Sequence, residues 1–295
     1  MGMNKNLISS CRFLREADQP FLYAISIALL IFIPFQVLGE NVENLYKNGI
    51  EQYQQGNYMK TILDFDQAIE KNSRDANAYF NRAIAKEKVG DLIGAISDYD
   101  SSIFINPNFG NAFYNRGNLK NKVNDLSGAL RDYNNALQID IHNSNAYFAR
   151  GKLKIKLQDF SGAMNDLSKV IEINPKQIDA LRMRGDLKNK LKDFSGAIND
   201  YDQVLQINSL DLNAYYNRGN LKLQIKDFSG ARDDFSIVLQ KKPNYLDAYR
   251  NRSIAKWKLG DEKGSCLDRK KLLYLGDEDT KKWFNSLPGA WCRQM

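Results

Sequence analysis

The sequence of 295 residues contains one histidine and three cysteines. So thin a supply of imidazole and thiol removes the usual cluster-type metal sites, and three cysteines do not make a disulfide framework. Cys11 precedes an apolar run; Cys266 and Cys292 are free to pair if the C-terminal region is exported and folds back. His142 falls by its spacing in a loop between repeated segments and reads as a surface residue. There is no CxxC, no HExxH, no phosphate-cradling glycine loop and no nucleophile elbow. No catalytic residue, metal ligand or cofactor site is therefore assigned, and the chain reads as a non-enzyme. Long uncharged runs are also missing, with one exception at Phe21–Leu38.

What is present is a folded composition, 43% hydrophobic and 26% charged, with a basic balance of +7. The surplus suits an acidic partner or an anionic membrane surface, and equally a soluble surface rich in lysine. The length would accommodate two ordinary domains, but one interval overrides that expectation. Ala78, Ala112, Ala146, Ala180, Ala214 and Ala248 recur every 34 residues, and Gly94, Gly128, Gly162, Gly196, Gly230 and Gly264 keep the same spacing without an insertion. An array of this kind predicts helical hairpins that bury their apolar faces against one another.

The columns supply the chemistry when Ala78 is counted as position 3. Position 8 is small (Gly49, Ala83, Gly117, Gly151, Gly185, Gly219, Ser253), as is position 20, which lets two helices approach. Position 24 is a large plug: Phe65, Tyr99, Tyr133, Leu167, Tyr201 and Phe235. Position 16 is aspartate, Asp91 through Asp261, suited to cap the second helix. Gly56, Gly90 and Gly260 supply a positive φ at the turn in three repeats. The position-19 glycines cost about 1 kcal/mol each in helix propensity and are expected to mark close backbone contact. Pro107, Pro175 and Pro243 stop the second helix.

Segments such as NAFYNRGNLKNKVNDLSGALRDYNNALQID (111–140) and NAYYNRGNLKLQIKDFSGARDDFSIVLQKKP (213–243) resemble the tetratricopeptide repeat (TPR) family, in its bacterial and cyanobacterial form AYxNRGxxKxxLGDxxGAIxDY. The resemblance implies an all-α, right-handed superhelical solenoid of seven helix-turn-helix units: 42–75, 76–109, 110–143, 144–177, 178–211, 212–245 and 246–279. In the seventh, Arg269 replaces the plug, which reads as a polar terminal face. Residues 280–295 follow as cap and tail, with a short helix at 277–285 laying Trp283 and Phe284 over the last hairpin.

Ahead of the array, residues 1–20 form a basic region and 21–39 an anchor or a signal peptide. The 18 uncharged residues from Phe21 to Leu38 would make a helix of ~27 Å, enough to cross a bilayer. Cleavage after Gly39, with Pro34 breaking the helix, is the other reading. Basic residues before the run and Glu40, Glu43 and Glu51 after it orient the repeats to the extracytoplasmic side.

Two columns are expected to pair. Arg82, Arg116, Arg150, Arg184, Arg218 and Arg252 at position 7 fall opposite Asp98, Asp132, Asp166, Asp200, Asp234 and Asp268 at position 23, a structural Arg–carboxylate set. The family's binding groove is the wall of first helices. Carried over, position 5 offers Phe80, Tyr114, Phe148 and Tyr216. Positions 6 and 9 offer Asn81, Asn115, Asn118, Lys152, Asn217, Asn220 and Asn251. Position 13 offers Lys88, Lys122, Lys156 and Lys190.

Amides bond a peptide backbone, rings cover its side chains and lysines attract its carboxylates, so the implied partner is a protein or peptide, an acidic one included. The aromatics have a plainer use as packing. A carboxylate clamp is not assigned, because Tyr216 stands where that clamp needs lysine. The lysines of position 11 (Lys86, Lys120, Lys154, Lys188, Lys222, Lys256) read as a solvated stripe, or as a ladder for RNA or an anionic surface. No base-reading pairs accompany them, so nucleic acid is not the expected ligand.

Overall fold

The computed structural model describes residues 35–286 and Cys292, with side chains from Val42 onward. The basic region, most of the run 21–38 and most of the tail lie outside the described residues. Among those described there are fifteen α-helices and no strand, and no helix is long and apolar enough to cross a membrane.

The chain divides into two compact units at Pro107/Asn108. The first contains α1 (Phe35–Gln54), α2 (Tyr58–Lys71), α3 (Ala76–Val89) and α4 (Leu92–Ile105). The second contains α5 (Gly110–Lys122), α6 (Leu126–Ile139), α7 (Ser144–Lys156), α8 (Phe160–Ile173) and α9 (Ile178–Lys190). It continues with α10 (Phe194–Ile207), α11 (Leu212–Gln224), α12 (Phe228–Lys241), α13 (Leu246–Lys258), α14 (Glu262–Tyr274) and α15 (Glu278–Asn285). Odd and even helices pair as hairpins, one per repeat. The first departs from its expected start, since α1 runs from Phe35 and takes in Gly39 and Glu40.

Six of the seven second helices are started by an aspartate; α2 follows Asn57, which makes no side-chain cap bond. Asp91, Asp125, Asp159, Asp193, Asp227 and Asp261 accept the amide of the glycine three residues on at 2.8–2.9 Å, satisfying a donor that the helix leaves open. This corrects the reading of the position-19 glycines. A Cβ on Gly196 would sit 2.1 Å from Asp193 Oδ2, so the missing side chain leaves room for the capping carboxylate and marks no backbone seam.

Close approach belongs to position 8 instead. A Cβ on Gly117 or Gly219 would lie 2.9 Å from the ring of Tyr133 or Phe235. The position-3 and position-20 alanines are fully buried, and the plugs Phe65, Tyr99, Tyr133, Leu167, Tyr201 and Phe235 are at most 1% exposed. The turn needs a positive φ in every repeat. Gly56, Gly90 and Gly260 provide it, but Asn124, Gln158, Lys192 and Lys226 adopt it at 63–65° in the others.

At the C-terminal end α15 is capped by Asp277, which accepts from the Thr280 amide at 3.1 Å and from its hydroxyl. Phe284 is buried, and Cys266 is joined to Cys292 with Cα atoms 5.6 Å apart. Arg269 does not form a polar outer face. Its guanidinium stacks 3.8 Å over the Trp283 ring, its Nε is buried without a partner, and burial lowers its pKa.

Candidate functional site

The hairpins bring the charged columns together first. In all six repeats the arginine Nε reaches one oxygen of the position-23 aspartate at 2.8–3.0 Å. Nη2 reaches the other at 2.6–2.7 Å. The lysine of position 11 closes a triad on the same carboxylate at 2.8–3.0 Å.

These lysine side chains are only 16–19% exposed, which overturns their reading as a solvated stripe. One turn of α-helix separates positions 7 and 11, so both cations point at the same carboxylate on the facing helix. In five of these arginines the remaining nitrogen, Nη1, crosses to position 25 of the preceding hairpin. Arg82 takes Asp66 at 2.6 Å, Arg150 takes Asn134 at 2.7 Å, Arg184 takes Ser168 at 3.2 Å, Arg218 takes Asp202 at 2.5 Å and Arg252 takes Ser236 at 3.1 Å. Burial alone would lower the pKa of Arg82 and Arg218, but the two carboxylates around each outweigh it and carry the value up.

The rings proposed for the groove turn inward against the plugs. Phe80 meets Tyr99, Tyr114 meets Tyr133 and Tyr216 meets Phe235 at 5.7, 6.2 and 5.9 Å between centroids. Tyr216 also meets Tyr245, the residue that precedes α13, at 5.1 Å. Phe148 lies beneath Lys152 Nζ at 5.6 Å.

The amides are shared between packing and surface. The Tyr133 hydroxyl donates to Asn118 at 2.8 Å, and Asn217 donates to the Tyr201 hydroxyl at 3.2 Å. Asn251 donates to Asn220 Oδ1 at 2.7 Å across two repeats. Asn115 is half-buried. Lys88, Lys122, Lys156 and Lys190 are exposed; Lys156 reaches Asn124 at 3.1 Å and Lys190 lies 4.1 Å over Phe160.

Recesses recur along the first-helix face at one structural address. In the second unit Asn220, Leu223, Phe228, Asn251, Ile254 and Lys258 line a hollow of about 700 Å³. Two repeats earlier Ile155, Phe160, Met183, Asp186 and Lys190 line one of about 220 Å³ at the same positions. In the first unit Asn81 borders a smaller hollow with Ile50, Tyr53 and Ile84. Leu223, Phe228 and Ile254 were not among the sequence candidates; positions 12 and 17 carry apolar residues in most repeats, a signal that could have found Leu223 and Phe228, whereas Ile254 stands in the mixed position-9 column. Among the described residues no cluster of metal ligands occurs.

No curated protein matches the chain by sequence. Solved structures share its fold. The C-terminal part of a TPR repeat-containing protein from Cytophaga hutchinsonii superposes with a TM-score of 0.66 at 18% identity, covering 82% of this chain and 99% of the other. YrrB, described as a TPR protein with an unusual peptide-binding site, matches with a TM-score of 0.57 at 22% identity, covering 63% of this chain and 96% of its own. PilF of Pseudomonas aeruginosa matches at 0.59 and 16%, covering 72% and 97%. Tetratricopeptide-repeat family models match residues 46–108 and 144–177. The chain thus carries tetratricopeptide repeats, in helical hairpins whose fold it shares with these proteins.

Proposed function

We propose that the protein is a non-enzymatic adaptor that holds a peptide or protein segment against the first-helix face of its hairpins. TPR repeats generally mediate protein–protein contacts, and nothing points to catalysis. The observation that carries the reading is the hollow between α11 and α13. Its floor is apolar at Leu223, Phe228 and Ile254, its wall holds the Asn220–Asn251 amide pair, and Lys226 and Lys258 stand at its rim. Such a site accepts an extended backbone through amides, an apolar side chain on the floor and a carboxylate at the rim. YrrB, similar in fold, supports peptide capture as the use of such a face.

The segment 21–38 tethers the repeats to a membrane, or is removed near Gly39 to release them outside the cytoplasm; assembly of a membrane complex suits either. The pairing of Cys266 with Cys292 favours an oxidising compartment. The RNA or anionic-surface reading loses its basis, because the lysines it relied on are bound to aspartates.

The test is partner capture by the full chain and by Asn220→Ala/Asn251→Ala/Lys258→Glu, whose fold is checked by circular dichroism. A folded variant that captures as much as the parent overturns the groove. A topology reporter fused at residue 60 that is active on the cytoplasmic side overturns the export.

A further inference from the structure

The second helices turn a face to solvent, opposite the side that packs on the first helices, and in most repeats that face is polar. Position 18 is Ser127, Ser161, Ser195 and Ser229 in the four repeats 110–245, and position 29 is Gln138, Glu172, Gln206 and Gln240. The first unit departs from this. Position 18 is Met59 in α2 and Ile93 in α4, position 22 of α2 is Leu63, and position 29 of α4 is Phe104. Their exposures are 64%, 83%, 57% and 86%.

These are outward residues by geometry. Each lies two residues from a buried one (Thr61, Phe65, Ala95 or Ser102), a rotation of about 200° on an α-helix. Ile93 and Phe104 are eleven residues apart, which returns them to one stripe about 16 Å long. Beside Phe104 a recess of about 480 Å³ carries Ser73, Arg74 and Tyr79. The four repeats 110–245 carry only polar or charged residues at these positions, and the seventh repeats the departure in part with Leu267 and Tyr274; large apolar side chains grouped on an exposed face mark a contact surface.

We infer that the outer face of α2 and α4, with Met59, Leu63, Ile93 and Phe104 as its contacts, rests in the lipid interface of the membrane that holds residues 21–38. The inference rests on the tethered form of the function above. The apolar run adjoins this unit: Leu38 falls within α1, the helix paired with α2. Pro34 directly precedes that helix in the sequence. A tether of no length keeps the unit against the bilayer, so even a shallow insertion of four side chains is held by proximity. Lys60 and Arg74, on or next to the same face, suit the headgroup level.

The test uses the full chain in phosphatidylcholine vesicles with brominated or plain acyl chains, and the variants Ile93→Trp, Phe104→Trp and Ser195→Trp. Fluorescence is read as the difference from the parent. The first two variants should lose about half or more of their added emission in brominated vesicles, whereas Ser195→Trp, at the equivalent site of a polar face, should lose none. Resistance to alkaline extraction is measured on the same samples.

A chain that alkali strips from the vesicles refutes the tether and this inference together. A chain that resists alkali while Ile93→Trp and Phe104→Trp stay unquenched refutes the lipid contact alone. Blue-shifted emission from either variant before lipid is added means that a second copy or another segment of this chain covers the face, and also refutes it.

Discussion

Arg184 holds both oxygens of Asp200, with Nε at 3.0 Å and Nη2 at 2.7 Å, and Lys188 shares the oxygen held by Nε at 2.8 Å. Asp200 is 1% exposed. Burying a carboxylate is costly, and the two cations offset the cost only while both remain. Asp200→Ala, which strands two half-buried cations, is expected to lower stability by about 3 kcal/mol. Replacing the triad by apolar residues of similar volume should recover most of that loss. Urea unfolding of the single and triple variants measures both.

At Gly219, position 8 leaves no room for a side chain. Gly219→Val places methyl groups where a Cβ already approaches the Phe235 ring to 2.9 Å, and is expected to cost about 1–3 kcal/mol through overpacking. Gly219→Val/Phe235→Leu should restore part of it, which thermal unfolding of the pair reports.

The Cys266–Cys292 link closes a loop of 26 residues. In the chain-entropy account its loss removes about 3.5 kcal/mol from the stability of the C-terminal end. Cys292→Ser, or mild reduction of the parent, should therefore raise hydrogen exchange in α14 and α15 while leaving α5 to α8 protected. Uniform exchange across the unit would contradict this.

The cap of α15 responds to acid. Asp277 has its pKa lowered by the Thr280 hydroxyl bond, against desolvation, with the Thr280 amide and Arg250 adding to the fall. Because the folded value is depressed, the carboxylate's contribution is complete above the unfolded value of about 3.9 and is lost as the pH falls through the lower folded value. Asp277→Asn should be less stable than the parent by a constant margin at neutral pH. That margin should shrink only below about pH 4. Urea midpoints at a series of pH values check it.

Much of the fold could be read from residues because the repeat wrote each one several times. Ala78 alone suggests nothing; six alanines in phase fix a buried seam. The turn was less legible, since Lys192 and Lys226 adopt the same positive φ as Gly90 and no side chain announces that. The position-11 lysines misled for a related reason. A lysine on a helix looks solvated until the facing helix is placed, and here the facing helix holds an aspartate. Of the groove candidates, the rings at position 5 are largely absorbed by their plugs. Asn220 and Asn251 meet only because two first helices lie side by side, a relation that spacing within one repeat does not contain.

In Arg82, Arg150, Arg184, Arg218 and Arg252 the third nitrogen of the guanidinium ties a hairpin to the one before it, and the tie differs from joint to joint. Arg218 crosses to the carboxylate of Asp202, but Arg252 crosses to the hydroxyl of Ser236. A bond between two opposite charges is the stronger of the two, the other having a charge on the donor alone. The joint beside the Asn220–Asn251 hollow is therefore one of those that lack a second charge.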